Sequence, residues 1–368
     1  MLAAFVANRG VMATETRFSG WPAWAARLLL AALVIPPLLA LIGPRSGASE
    51  TTGAPPFTDI KLYRSITQGV AQGGDYYHVA AAVHRAHHYP LWPPQVIREP
   101  TEALVLSALH WDALRWTALL ALAAVALEVL RRGLAKADLT PRERLWSLAL
   151  AIGGLGSVCT PNAPYMHEVW AGILILISLS TRRPDRWGLA AGVGLLACLV
   201  RELALPYLVV MAACAVLERR RSEAIGWSAT ALVFCAAYAL HLHWAAAQHR
   251  PGDVMSPGWV RFGGLSFLIA AARNNAFYIF MPGWAIALGL TLSLLGLAGR
   301  RDAMTLRCAL TLSAFLAAFA VIGRPDNNYW GLLYAPLASM GLALAPKTLG
   351  VMTTRAFGSR HDLSHGKR

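Results

Sequence analysis

The sequence predicts an all-α polytopic membrane protein, a helical bundle with juxtamembrane surface helices. Three observations carry that expectation: 56% of the residues are hydrophobic, only 14% are charged, and the apolar residues fall in long runs. Soluble domains carry about 25% charged residues, so the deficit marks a chain suited to lipid. A net charge of +14 would suggest nucleic acid in a soluble protein. In a membrane protein it carries topological information instead, and no nucleic-acid partner is expected.

The first apolar run, Trp21 to Ile42, follows Arg9 and Arg17 and contains Arg27 near its start. It is long enough to span a bilayer, with a kink expected at Pro36-Pro37. Small residues at Ser46 to Ser49 would also suit a cleaved signal peptide, but the run is long for one, and a retained helix is favoured. A polar outer loop, 43–112, comes next. Further apolar runs lie at 113–130, 145–158, 168–180, 187–200, 204–217, 227–244, 284–299, 308–323 and 331–346. Together they predict about ten spans, several short enough to be broken or half-buried. The membrane domain is placed at 1–346, followed by a short, loosely ordered basic tail, 347–368.

Charge placement supports this order. With both termini in the cytoplasm, the inner segments hold Arg131, Arg132, Lys136, Arg142 and Arg144, then Arg182, Arg183 and Arg186. Arg219 to Arg221, then Arg300, Arg301 and Arg307, and finally the tail, complete the pattern. Every inner loop is basic, as the positive-inside rule requires. Leu265 to Met281 carries Arg273-Asn274-Asn275 at its middle, and counting it as a span would move Arg300-Arg301 outside. It is therefore expected to lie on the outer face as an amphipathic helix.

The outer loop is organised around Gly73 to Pro100. Asp75 after two glycines suits an N-cap, with a helix predicted over Tyr76 to Tyr89. On this topology Asp59, Asp75, Arg98, Glu99, Glu102 and Glu168 gather at the outer surface, as do Arg201, Glu202, Arg261 and Arg324. Charges beside apolar runs are costly unless partnered or wet, which points to an outward-facing charged cavity. Adjacent helical residues point about 100° apart, so Arg201 and Glu202 are expected to need separate partners.

Gly74-Asp75-Tyr76-Tyr77, Ala80 to Ala82, Tyr89-Pro90 and Arg98-Glu99-Pro100 follow an order that resembles the membrane-embedded GT-C glycosyltransferases. Glu168, Arg201-Glu202 with Pro206, and Arg324-Pro325 through Tyr329-Trp330 with Pro336 are similar to later landmarks of that family. The resemblance implies transfer of a sugar from a polyprenyl-phosphate donor to a lipid, glycan or protein hydroxyl on the outer face of the membrane. It implies Asp75 as general base and Arg201 as phosphate clamp, with Arg98, Arg261 and Arg324 behind it. Glu99, Glu168, Glu202 and Tyr76 are implied to contact substrate or to hold those arginines. The alanine- and arginine-rich composition suggests a bacterial inner membrane.

Plainer readings stand beside each of these. Asp75 suits a helix cap, and Glu168 and Arg201 suit a structural ion pair between spans. His78, His84, His87 and His88 lack the carboxylate of a known ligand motif, so no metal or other cofactor is expected. Five scattered cysteines imply neither zinc nor a disulfide framework. Tryptophans near span ends read as an interfacial belt. A secondary transporter or lipid flippase is the alternative function, and it would place charges near mid-membrane in two related halves.

Overall fold

The computed structural model describes residues 15–42, 58–258 and 261–358. The expectations for Arg9, for Ser46 to Ser49 and for 359–368 lie outside these residues. The described chain is 76% helix, with no strand.

Helix α1 (Ala23–Ile42) runs unbroken through Pro36 and Pro37. The polar loop then builds three short helices, α2 (Asp59–Ala71), α3 (Tyr76–Ala86) and α4 (Thr101–Ala108). The apolar runs follow as α5 (Asp112–Lys136), α6 (Pro141–Gly154), α7 (His167–Thr181), α8 (Gly188–Val200), α9 (Leu205–Leu217) and α10 (Arg221–Ala246). Beyond α11 (Gly264–Ala272) lie α12 (Gly283–Gly299), α13 (Ala303–Ile322), α14 (Ala335–Met340) and α15 (Ala345–Phe357).

The expected apolar runs are helical, 331–346 as several short helices, and they differ in whether one helix alone is long enough to cross a bilayer. Among the described residues four helices, α1, α5, α10 and α13, are long and apolar enough to cross a membrane. A fifth span is possible only if Pro325–Leu333 and Ala335–Phe357, bent by 74°, count as one. At 1.5 Å per residue, a 13-residue helix such as α8 or α9 covers about 20 Å of the roughly 30 Å hydrocarbon layer.

The spanning helices are inverted relative to a soluble core. On α1, Leu28, Ile35, Leu38 and Ile42 are all exposed, and only 11% of its apolar window is buried. Such a surface has a solvent in lipid and none in water. Short α7 is the opposite, buried from His167 through Ser180. Gly172 allows this packing, because a Cβ there would collide with the backbone at Leu332.

A second, smaller core joins the loop helices to the bundle. Leu62, Ile66, Tyr76, Ala80, Leu91, Ile97 and Ala103 pack together with Ala245 at the end of α10. The α2–α4 layer thereby forms a roof over one end of the bundle. Arg85 pins it from outside, with a bidentate contact to Asp253 at 2.7 and 2.9 Å.

Two further expectations need correction. Residues 347–357 are not loose: they belong to α15, which packs on α1, and Arg27 Nε donates to Ala356 O at 2.8 Å. The amphipathic stretch is helical only over α11. Arg273 caps it, and turns carry the chain on to Met281.

Candidate functional site

The sequence around Asp75 folds for local reasons. Gly73 adopts φ +91° after α2 and donates to Val70 O, while Gly74 donates to Gly69 O. This is a Schellman closure, and it needs glycine at the left-handed position. Asp75 then caps α3, accepting from His78 N at 3.0 Å. At the other end His88 takes φ +56°, and Tyr89 donates back to His84 O. A second closure of the same kind thus ends α3 at Ala86, short of the expected Tyr89.

Beneath the roof, charged residues distant in sequence converge. Arg201 has no exposed side-chain surface. Its Nε donates to Glu168 Oε1 at 2.6 Å, and its Nη1 reaches both oxygens of Glu202 at 2.7 and 2.9 Å. Neighbours pair here because α8 ends at Val200. Arg201 is extended (φ −152°, ψ 111°), and Glu202 starts a separate 3₁₀ turn. The expectation of separate partners assumed an unbroken helix, and the break overturns it.

Arg98 approaches from the roof. Its Nη1 lies 3.8 Å from Glu202, and its Nε donates to the Tyr63 hydroxyl at 3.2 Å. Tyr76 fixes this turn by donating its hydroxyl to Arg98 O at 2.6 Å. Glu102 Oε2 lies 3.1 Å from His167 Nδ1, with both side chains buried. Glu99 faces Glu202. Tyr329, from the bent segment after α13, lies within electrostatic reach of Arg98 and Arg201.

The roof carboxyls sit in an unusual electrostatic setting. Burial, reinforced by Glu202, raises the Glu99 carboxyl well above the usual range. Burial, reinforced by Glu168, does the same to Glu102. Both therefore favour the protonated acid, leaving Glu168 and Glu202 to balance Arg98 and Arg201. Several buried polar atoms are left without a hydrogen-bond partner, among them Arg201 Nη2 and Glu99 Oε1. Unsatisfied buried atoms are rare in folded chains and mark places where another group fits. A small space of about 10 Å³, room for about one water, lies beside this cluster, lined by Tyr63, Thr67, Tyr76, Arg98, Glu102 and His167 but not by Arg201.

The structure therefore brings together Arg98, Glu99, Glu168, Arg201 and Glu202, with Tyr76 at the edge. Three expected members lie elsewhere. Asp75 is 59% exposed and faces His78, held outward by its capping bond. Arg261 is exposed. Arg324 is occupied by Asp326 at 2.6 Å, beside it in the turn after α13, and by Gly258 O from the segment between α10 and α11. Tyr63, Glu102 and His167 join the site without having been singled out as members. The available signal was the i, i+3, i+4 stripe Tyr63, Ile66 and Thr67 on amphipathic α2. His84, one of the four loop histidines, is buried, and its Nδ1 meets Pro90 O at 2.7 Å. Among the described residues no three His, Cys, Asp or Glu side chains are grouped to hold a metal ion.

No protein-family model, curated protein or solved structure matches this chain.

Proposed function

We propose that the chain is a glycosyltransferase that moves a sugar from a polyprenyl-phosphate donor to an acceptor hydroxyl at the roofed face of the membrane. The observation that carries this reading is the buried Arg201. It is paired with two carboxylates, it stands near Arg98, and it retains an unpartnered Nη2. A lipid-linked phosphate needs such a donor beside lipid-facing helices, and the spans supply that setting.

In the proposed step the acceptor oxygen attacks the anomeric carbon as the bond from that carbon to the phosphate oxygen breaks. Charge then grows on the departing phosphate, where Arg201 and Arg98 neutralise it. Glu168 and Glu202 hold the Arg201 fork in orientation. The acceptor proton passes to a carboxylate. Glu99 and Glu102 already favour the protonated acid, and Glu168 and Glu202 are engaged by Arg201. The family resemblance gives the proton to Asp75, which stands outside the buried cluster at the exposed head of α3, one residue before the Tyr76 anchor, and would meet the acceptor at the roof's outer edge. The setting is the outer face of a bacterial inner membrane, with both termini in the cytoplasm.

The transporter alternative is less well supported. His167 opens α7 and Arg201 follows the last residue of α8, so the charges collect at helix ends. The test is donor turnover by the purified, reconstituted chain across a panel of polyprenyl-phosphate sugars. We expect one donor to be consumed, and Arg201→Gln to slow its consumption about 10²–10³-fold. Turnover of none of the donors, or equal turnover by Arg201→Gln, would overturn the proposal.

A further inference from the structure

A pocket lies at the opposite end of the bundle from the roof, between the last turns of α5, the end of α7 and the start of α8. Its volume is about 590 Å³, within the range of small-ligand sites. Five cationic side chains line it: Arg131, Arg132 and Lys136 from α5, and Arg183 and Arg186 from the turn that links α7 to α8. The backbone of that turn pairs Arg183 with Arg186, so both arginines border one space.

The local acids do not neutralise this group. Glu128 binds Arg131 at 2.7 Å and Arg132 at 2.6 Å, and Asp185 stands 4.0 Å from Arg186. Among the described residues neither Lys136 nor Arg183 is in an ion pair with a carboxylate. Five cations therefore face two acids. The start of α8 adds to the attraction, since its first amide groups point toward the pocket end of the helix. A Cβ built on Gly188 meets nothing within 4 Å, so that helix start is open to approach.

The remaining wall is Ser180 and Thr181 at the end of α7, Gly188, and an apolar part. Val129 and Ala135 come from α5, and Leu189, 71% exposed, comes from α8. A free anion has no use for such a wall. An amphipathic one does, and α5 is a candidate span whose C-terminal turns carry Arg131, Arg132 and Lys136, as a helix end at a lipid headgroup layer would.

We infer that this pocket binds an anionic phospholipid, with the phosphate among Lys136, Arg183 and Arg186 and an acyl chain along Val129 and Leu189. The assignment does not rest on glycosyl transfer. It would place a structural or regulatory lipid about one short helix, α7, away from the roofed cluster.

Native mass spectrometry of the full chain, offered phosphatidylglycerol, phosphatidylcholine or inorganic phosphate, tests the inference. We expect phosphatidylglycerol to be retained in preference to phosphatidylcholine. The triple variant Lys136→Gln, Arg183→Gln, Arg186→Gln should retain it about tenfold less. A control triple, Arg142→Gln, Arg219→Gln, Arg221→Gln, removes equal charge from the same end and should retain it as the parent does. The single variant Lys136→Gln, at an exposed position, should show a smaller loss in the same direction, which serves if the triple fails to insert. Equal retention of the two lipids, equal loss in both triples, no loss in Lys136→Gln, or complete displacement by inorganic phosphate would each overturn it.

Discussion

Two clusters of buried charge stand at opposite ends of α7, about 20 Å apart by the rise of a 15-residue helix. At the basic end Arg182 binds Glu223 through two bonds, at 2.8 and 2.6 Å. Glu223 also accepts from the Trp227 indole, and Glu218 takes Arg307 at 2.8 Å. The chain crosses there from α7 to α9, α10 and α13, and the contacts read as a clasp between helices. At the roofed end four carboxyls meet two guanidinium groups and two of the carboxyls favour the protonated acid, whereas unpartnered buried atoms occur at both ends, Arg201 Nη2 in the roof and Arg307 Nε in the clasp. The difference separates a bond that holds the bundle from a site arranged around something else. A buried charge pair alone does not mark function; surplus carboxyls that favour the protonated acid do.

The sharpest way to break this comparison is to unpair each cluster. Arg182→Gln strands Glu223, and should cost about 3–5 kcal/mol of stability, read as a fall in thermal midpoint in detergent. A cost below about 1 kcal/mol, the level of an exposed pair, would remove the clasp from the account.

The roof should respond to acid through His84. Burial lowers the His84 imidazole to about 4 despite its bond to Pro90, with Asp59 and Arg98 the charged groups nearby. The folded state therefore binds this proton less readily than the unfolded chain, whose histidine titrates near 6.5. Stability from the neutral ring is complete above about 6.5 and falls as pH drops toward about 4, by about 3 kcal/mol in all. Hydrogen exchange of α3, corrected for intrinsic rate, should rise across that window in the parent and stay flat in His84→Gln. Identical profiles would contradict the assignment.

A smaller effect sharpens the contrast. Glu102→Gln replaces a carboxyl that favours its neutral form, so the fold should change by less than about 1 kcal/mol. Glu223→Gln, which leaves Arg182 unpaired, should cost several times more in the same melting assay. Comparable losses would mean that Glu102 is charged in the folded state.

The smallest expected change in stability falls at Asp75. Asparagine caps as well as aspartate, so Asp75→Asn should melt with the parent, whereas Asp75→Ala should lose about 1 kcal/mol. Sugar transfer should nevertheless vanish in Asp75→Asn. Full transfer in that variant would leave Asp75 as a cap and nothing more.

Much of this was legible before any coordinates. The apolar runs map onto helices, and Gly73-Gly74-Asp75 foretells both the end of α2 and the start of α3. Arg98, Glu168 and Arg201 could be grouped by topology alone. What could not be read depends on breaks and on contacts between distant segments. The apolar run 187–200 marks the end of α8, but the pairing of Arg201 with its neighbour also needs the extended backbone that follows, which the run does not show. Glu102 meets His167 across 65 positions, through a roof whose packing on the bundle is set by Ile97, Ala103 and Ala245. Arg182 and Arg307, read as loop charges, are buried because Glu218 and Glu223 follow them inward. Apolar composition likewise does not reveal whether a 13-residue helix such as α8 crosses the bilayer.

The central claim is that the roofed cluster receives a lipid-linked phosphate whereas the clasp does not. Binding of a polyprenyl phosphate without sugar, measured by calorimetry on the chain in nanodiscs, tests it most directly. The account expects Arg201→Gln to weaken binding about tenfold or more, and Arg182→Gln, held at a temperature where it stays folded, to bind as the parent. Equal affinity in the parent and Arg201→Gln would contradict it.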